Sequence, residues 1–150
     1  MATENLREEV GEALMTFQFL EEAIREYLDI KVKIIKKNVK DLNKKFSLYE
    51  ENDTLGTLIR KFEKVCDNDV LVKSLGKIPK ERNKLAHHIW LNFRKQSDRL
   101  LYGDRDREIG EKLEKCVIEK INEVKEMGKE AHLCLFGLIG ETVKIEGLLE

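Results

Sequence analysis

The stretch LREEVGEALMTFQFLEEAIREY, residues 6–27, sets the fold class of this chain. Its apolar residues Leu6, Val10, Ala13, Phe17, Leu20, Ile24 and Tyr27 recur alternately four and three apart. That spacing returns side chains to one face of an α-helix, whereas a half-buried strand alternates every two residues. A helix with one long apolar stripe has to bury it against other elements, and helices are the simplest partners. The pattern extends through Ile35, Val39, Leu42 and Phe46, although Ile30-Lys31-Val32-Lys33-Ile34 alternates as a strand would.

The rest of the chain repeats the helical theme. Thr54 can cap a helix whose apolar positions are Leu55, Leu58, Ile59, Phe62 and Val65. Asn68 or Asp69 starts a short helix through Val70, Leu71 and Leu75, and the only proline, Pro79, fits the first turn of the next. There Ile78, Leu85, Ile89 and Phe93 form the buried stripe, and Ser97 to Gly103 reads as a connection. A last helix uses Ile109, Leu113, Cys116 or Val117, Ile121, Val124, Met127, Ala131, Cys134 or Leu135, and Leu138. It is expected to break near Gly137 or Gly140, leaving a tail over 140–150 in which Val143 and Ile145 alternate like a short strand. The polar, acidic segment Ser47 to Asp53 reads as a mobile loop. These elements predict an all-α, mostly antiparallel helical bundle, with residues 1–150 as one domain and no internal repeat or linker.

Composition narrows the function classes. With 41% hydrophobic and 38% charged residues, the chain has enough apolar mass for a core and enough charge for long solvated helix faces. No run approaches 18 apolar residues, and Met1-Ala2-Thr3-Glu4 has neither a basic nor an apolar leader region, so a cytoplasmic protein with no membrane partner is expected. Cys66, Cys116 and Cys134 are odd in number and widely spaced, which favours reduced thiols over disulfides or a zinc site. A glycine-rich phosphate loop, His-Glu-x-x-His and Gly-x-Ser-x-Gly are all missing from the sequence, and no cofactor or metal is expected.

The net charge of −1 conceals segregation. Lys31, Lys33, Lys36, Lys37, Lys40, Lys44 and Lys45 face only Asp41, giving +6 over residues 31–45. Between Val70 and Arg99, eight basic residues (Lys73, Lys77, Lys80, Arg82, Lys84, Arg94, Lys95 and Arg99) face Glu81 and Asp98, again +6. Each run alone reads as a solvated helix face; two runs, one centred on an unusual motif, read as a surface for a polyanion such as RNA.

That motif is Glu81-Arg82-Asn83-Lys84-Leu85-Ala86-His87-His88. Asn83 and His87 are four apart and project from one helix face, with Trp90 continuing it at i+7 and Arg82 at its margin. The set combines a fixed cation, an amide and a group that carries a proton near neutral pH, which are the parts needed to handle a phosphodiester. Lys80, Lys84, Arg94 and Lys95 are the candidate RNA-backbone contacts beside it. His88 lies nearer the core stripe and reads as structural.

Arg82-Asn83-Lys84-Leu85-Ala86-His87, with Thr54-Leu55-Gly56-Thr57-Leu58-Ile59 and Phe17-Gln18-Phe19-Leu20-Glu21 on earlier helices, resembles the signature of the HEPN superfamily. The similarity covers roughly residues 4 to 138 in helical order, and only residues 82 to 87 are functionally specific. It implies a metal-independent endoribonuclease with Arg82, Asn83 and His87 as catalytic residues, acting as a toxin or phage-defence effector. Its products would carry 2′,3′-cyclic phosphate and 5′-hydroxyl ends. It implies a homodimer whose cleft gathers Asn83, His87 and Trp90 from two copies, and a neutralising antitoxin partner. In one branch of the family a tyrosine two residues after the motif histidine is modified; that position is Ile89 here, which removes the basis for that mode of control. The competing reading is a non-catalytic HEPN-like module for dimerisation, or for binding a partner or nucleotide. It expects Arg82 and His87 to be held by intramolecular contacts, and the two basic regions to lie apart.

Overall fold

The structure, a computed structural model, describes residues 2–89, 91, 94, 95 and 107–150. All regular structure among the described residues is helical, as the periodicity predicts. Helix α1 spans Ala2–Asn38, α2 Leu55–Glu63, α3 Asp69–Leu75 and α4 Ile78–Asn83. A π-helical turn, Lys84–Ile89, follows α4 directly; α5 spans Arg107–Glu146 and ends in a 3₁₀ turn, Gly147–Leu149. The residues group into two compact units: Met1–Thr16 with Lys80–Glu130, and Phe17–Pro79 with Ala131–Glu150. No described helix is long and apolar enough to cross a membrane.

In the unit built from Phe17–Pro79 and Ala131–Glu150, the stripe of α1 supplies Phe17, Leu20, Ile24, Tyr27 and Leu28, each at most 1% exposed. Leu55, Leu58 and Phe62 of α2, Leu75 of α3 and Ala131 and Leu138 of α5 are equally buried. Tyr27 and Phe62 meet edge to face, with ring centroids 4.7 Å apart. Burying each large side chain contributes about 1.5–3 kcal/mol, which is why this apolar set rather than helix propensity holds α2 and α3.

Local signals fix the ends of these helices. The Thr54 hydroxyl accepts from Thr57 N at 3.3 Å and starts α2; Asn68 Oδ1 accepts from Leu71 N at 3.1 Å and starts α3. Asn68 also donates through Nδ2 to Glu141 Oε1 at 2.8 Å, so one side chain caps α3 and ties it to α5. Segment 47–53 contacts α1 and α2: Tyr49 Oη donates to Asp29 Oδ2, Arg25 donates to Asp53 O, and Lys61 pairs with Asp53.

Some readings of the sequence differ from what is found. The run Ile30–Ile34 is helical; Ile30 and Val32 are both buried because α1 is covered over a wide arc there, and a wide arc mimics alternation. Helix α1 stops at Asn38, whose Nδ2 donates to Ile34 O at 3.1 Å, and Val39 is left 47% exposed. Helix α5 runs through Gly137 and Gly140 to Glu146, with buried Thr142 donating to Leu138 O at 2.8 Å. Gly137 breaks nothing because its role is space: a Cβ there would lie 2.8 Å from Leu71 Cδ1.

Within this unit α1 and α5 run in the same direction, which departs from the mostly antiparallel arrangement expected of the bundle. The charge of Glu141 acts on the Tyr27 hydroxyl, and further along both helices Lys37 Nζ donates to Leu149 O at 3.2 Å. A parallel pair needs a long connection between its members. Helix α5 also carries a second apolar face, with Leu133, Phe136, Ile139 and Val143 between 49% and 68% exposed.

In the unit built from Met1–Thr16 and Lys80–Glu130, Leu6, Val10 and Ala13 of α1, Leu85 and Ile89 of the π turn, and Val117, Val124 and Met127 of α5 are buried. Glu9 and Lys125 pair at 3.9 Å between α1 and α5.

Phe62→Ala should lower unfolding free energy by about 3–5 kcal/mol, because it removes a fully buried ring and leaves a cavity against Tyr27. Thr54→Ala should cost only about 1 kcal/mol, the usual worth of a lost helix cap. Urea denaturation followed by far-UV circular dichroism separates the two.

Candidate functional site at a π-helical turn

The motif residues straddle the junction of α4 and the π turn. Arg82 and Asn83 end α4, and Lys84–Ile89 form the turn closed by i→i+5 hydrogen bonds. Leu85 is fully buried and Ile89 is 2% exposed, so these two side chains anchor the turn. Asn83, Lys84, His87 and His88 are exposed, which separates the polar groups from the core.

The helix type matters for the motif. In an α-helix, residues five apart such as Arg82 and His87 are about 140° apart around the axis. A turn with an i→i+5 repeat is wider, and it brings residues five apart toward one side. The same widening accounts for His88. Read at α-helical period it flanks the Leu85–Ile89 stripe, whereas the structure turns it out to solvent, so the structural role expected for it is not found.

Arg82 is half-buried and already engaged by a neighbouring group. Lys84 forms an ion pair with Glu123 of α5, and Lys120 joins the same carboxylate at 3.2 Å. These contacts hold the Glu123 carboxyl below the usual glutamate range; the Lys84 hydrogen bond is the largest cause, partial burial opposes it and Lys120 adds to it. Of the expected RNA contacts, Lys80, Arg94 and Lys95 are exposed, and Lys84 is exposed but paired. Trp90, Phe93, Arg99 and the connection 97–103 lie outside the described residues, so the expected place of Trp90 in a dimer face has no structural counterpart here.

A second group of reactive side chains lies in the other unit. Cys66 Sγ and carboxylate oxygens of Asp67 and Glu141 lie within 4.8 Å of one another, an arrangement that could hold a metal ion. Tyr27 borders it: burial above all, then the charge and hydrogen bond of Cys66 and the charges of Glu141 and Asp67, push its hydroxyl well above the ordinary tyrosine value. The sequence reading missed this group. Cys66 and Asp67 are adjacent, but Glu141 is far away in the chain and nothing local announces it. All three cysteines are free; Cys66 and Cys134 are buried and Cys116 is half-buried.

No family model, curated protein or solved structure matches this chain.

The Glu123 carboxyl should titrate below the free-glutamate range by ¹³C NMR, and Lys84→Met should move it back upward, with Lys120 limiting the change. Because the folded-state value is the lowered one, the pair's contribution to stability is complete above the unfolded glutamate value and fades as pH falls through the folded one. An unshifted Glu123 in wild type would show that the pair does not persist in solution.

Proposed function

We propose that the protein is a metal-independent endoribonuclease of HEPN type, acting through Arg82, Asn83 and His87. The observation that carries this reading is the π turn. It is a rare, costly backbone form that is enriched at functional sites, and here it covers most of the segment bearing the arginine, amide and imidazole. Exposure of Asn83 and His87 on the side away from Leu85 and Ile89 supports it further.

In the proposed reaction the ribose 2′-hydroxyl attacks the adjacent phosphorus and the 5′-oxygen leaves. The products are a 2′,3′-cyclic phosphate and a 5′-hydroxyl end. His87 takes the proton from the 2′-hydroxyl or delivers one to the leaving oxygen. Arg82 stabilises the charge that builds on the phosphorane, and Asn83 orients the phosphate. A single imidazole supplies one of two proton transfers, so a two-fold dimer that pairs two motifs completes the chemistry. In a toxin or phage-defence setting, an antitoxin would act by covering this surface.

One observation favours the non-catalytic module instead. Arg82 is half-buried and engaged, and Lys84 is tied to Glu123, which is what a structural role for the motif would look like. The nuclease requires the Arg82 guanidinium to exchange its present contact for a phosphate.

Purified protein incubated with RNA in EDTA should leave cyclic-phosphate ends. His87→Ala should slow cleavage by a factor of about 10² to 10⁴. Arg82→Ala should slow it by about 10² to 10³. Since Arg82 is half-buried, its variant is compared with Arg82→Lys and checked for an unchanged melting temperature. Sedimentation should show a dimer at tens of micromolar. Wild-type activity no greater than that of His87→Ala would leave the binding module as the better reading.

A further inference from the structure

We propose that the lysine-rich end of α1 and the segment after it form a holding surface for the backbone of single-stranded RNA, separate from the motif at the π turn. Lys33, Lys36, Lys37, Lys40, Lys44 and Lys45 are exposed, and Lys31 sits over the Tyr27 ring at 5.7 Å. All seven belong to the unit built from Phe17–Pro79 and Ala131–Glu150, whereas Arg82, Asn83 and His87 belong to the other.

The run combines density of charge with a lack of pairing. Among the described residues, four of the thirteen lysines outside 31–45 find carboxylates: Lys61 with Asp53, Lys84 and Lys120 with Glu123, and Lys125 with Glu9. Among the described residues none of the seven lysines of 31–45 is in an ion pair, although the chain carries 29 acidic residues. Two of them bond main-chain oxygens instead. Lys36 Nζ donates to Lys44 O at 2.9 Å and Lys37 Nζ to Leu149 O at 3.2 Å. The first of these bonds brings the main chain at Lys44 against Lys36 near the end of α1, and on that helix Lys33, Lys36 and Lys37 fall within about 100° of one another around the axis.

A helix C-terminus attracts cations, and that explains Lys36 and Lys37 in the last turn of α1. Lys40, Lys44 and Lys45 follow α1 in the chain and are not part of that last turn. Like charges gathered without counter-charges oppose folding, and a polyanion relieves that repulsion while releasing its own condensed counterions. A small phosphate ligand would want converging donors in a cavity, whereas dispersed point charges suit a repeating backbone. A membrane surface would want apolar side chains among the lysines, and Val39, at 47%, is the one exposed large hydrophobic residue of 31–45. Lysine point charges track phosphates without reading bases, so binding should be indifferent to sequence.

The surface shares its substrate class with the proposed nuclease but none of its residues, so the test separates them. Fluorescence anisotropy of a 5′-labelled 20-nucleotide polyuridine is measured in EDTA with His87→Ala protein, across a salt series. Each phosphate contact contributes about −0.7 to the slope of log K against log salt on a single strand. The triple variant Lys33→Gln, Lys40→Gln, Lys45→Gln, which breaks no hydrogen bond described above, should make that slope shallower by about 2. Lys→Arg at the same positions should restore it, and circular dichroism should be unchanged in both. An unaltered slope, no RNA binding at low salt, or binding to phosphatidylserine vesicles in place of RNA would each overturn the proposal. Wild-type cleavage is read in parallel: binding through these lysines without cleavage refutes the nuclease and leaves the surface standing, and cleavage with an unaltered slope does the reverse.

Discussion

The demand that α1 bury one apolar stripe along most of its length governs the rest of the structure. From Leu6 to Tyr27 every member of that stripe is at most 4% exposed. The helix belongs to both compact units, Leu6, Val10 and Ala13 to one and Phe17 onward to the other, and α5 is divided in the same way. Neither unit has a complete core without its share of both long helices. The short elements α2, α3 and α4 are too brief to be stable alone, and they persist because they cover what the long helices present.

Legibility in the sequence follows from this. Where one face was buried at a regular 3.6-residue spacing, as from Leu6 to Tyr27 and from Val117 to Leu138, the pattern was readable, and the caps at Thr54 and Asn68 were readable from their chemistry. The Ile30–Ile34 run was ambiguous because a helix buried over a wide arc loses its simple period. Gly137 and Gly140 were read as breakers by type. Only the structure shows that Leu71 occupies the space a side chain at Gly137 would need.

The candidate site divides similarly. That Asn83 and His87 stand away from the Leu85–Ile89 core side followed from spacing, and the structure exposes both. What spacing could not give were contacts between residues remote in the chain: Glu123 on Lys84, or Glu141 beside Cys66 and Asp67. Charge counting had the same limit. Two runs have equal net charge, which does not disclose that Lys84 of the second has a carboxylate partner on α5.

The π turn has a meaning in evolutionary time. A turn with an i→i+5 repeat is what a helix forms when it takes in one additional residue without shifting the segments on either side. Lys84–Ile89 can thus be read as an α-helical stretch lengthened by one, with Leu85 and Ile89 still seated in the core. A descendant that lost one residue there would return to an α-helix and keep its anchors, but its arginine and histidine would be separated by one position fewer. The interval between those two residues is therefore not a constant to be matched letter by letter. It can change by one whenever the helix type changes with it.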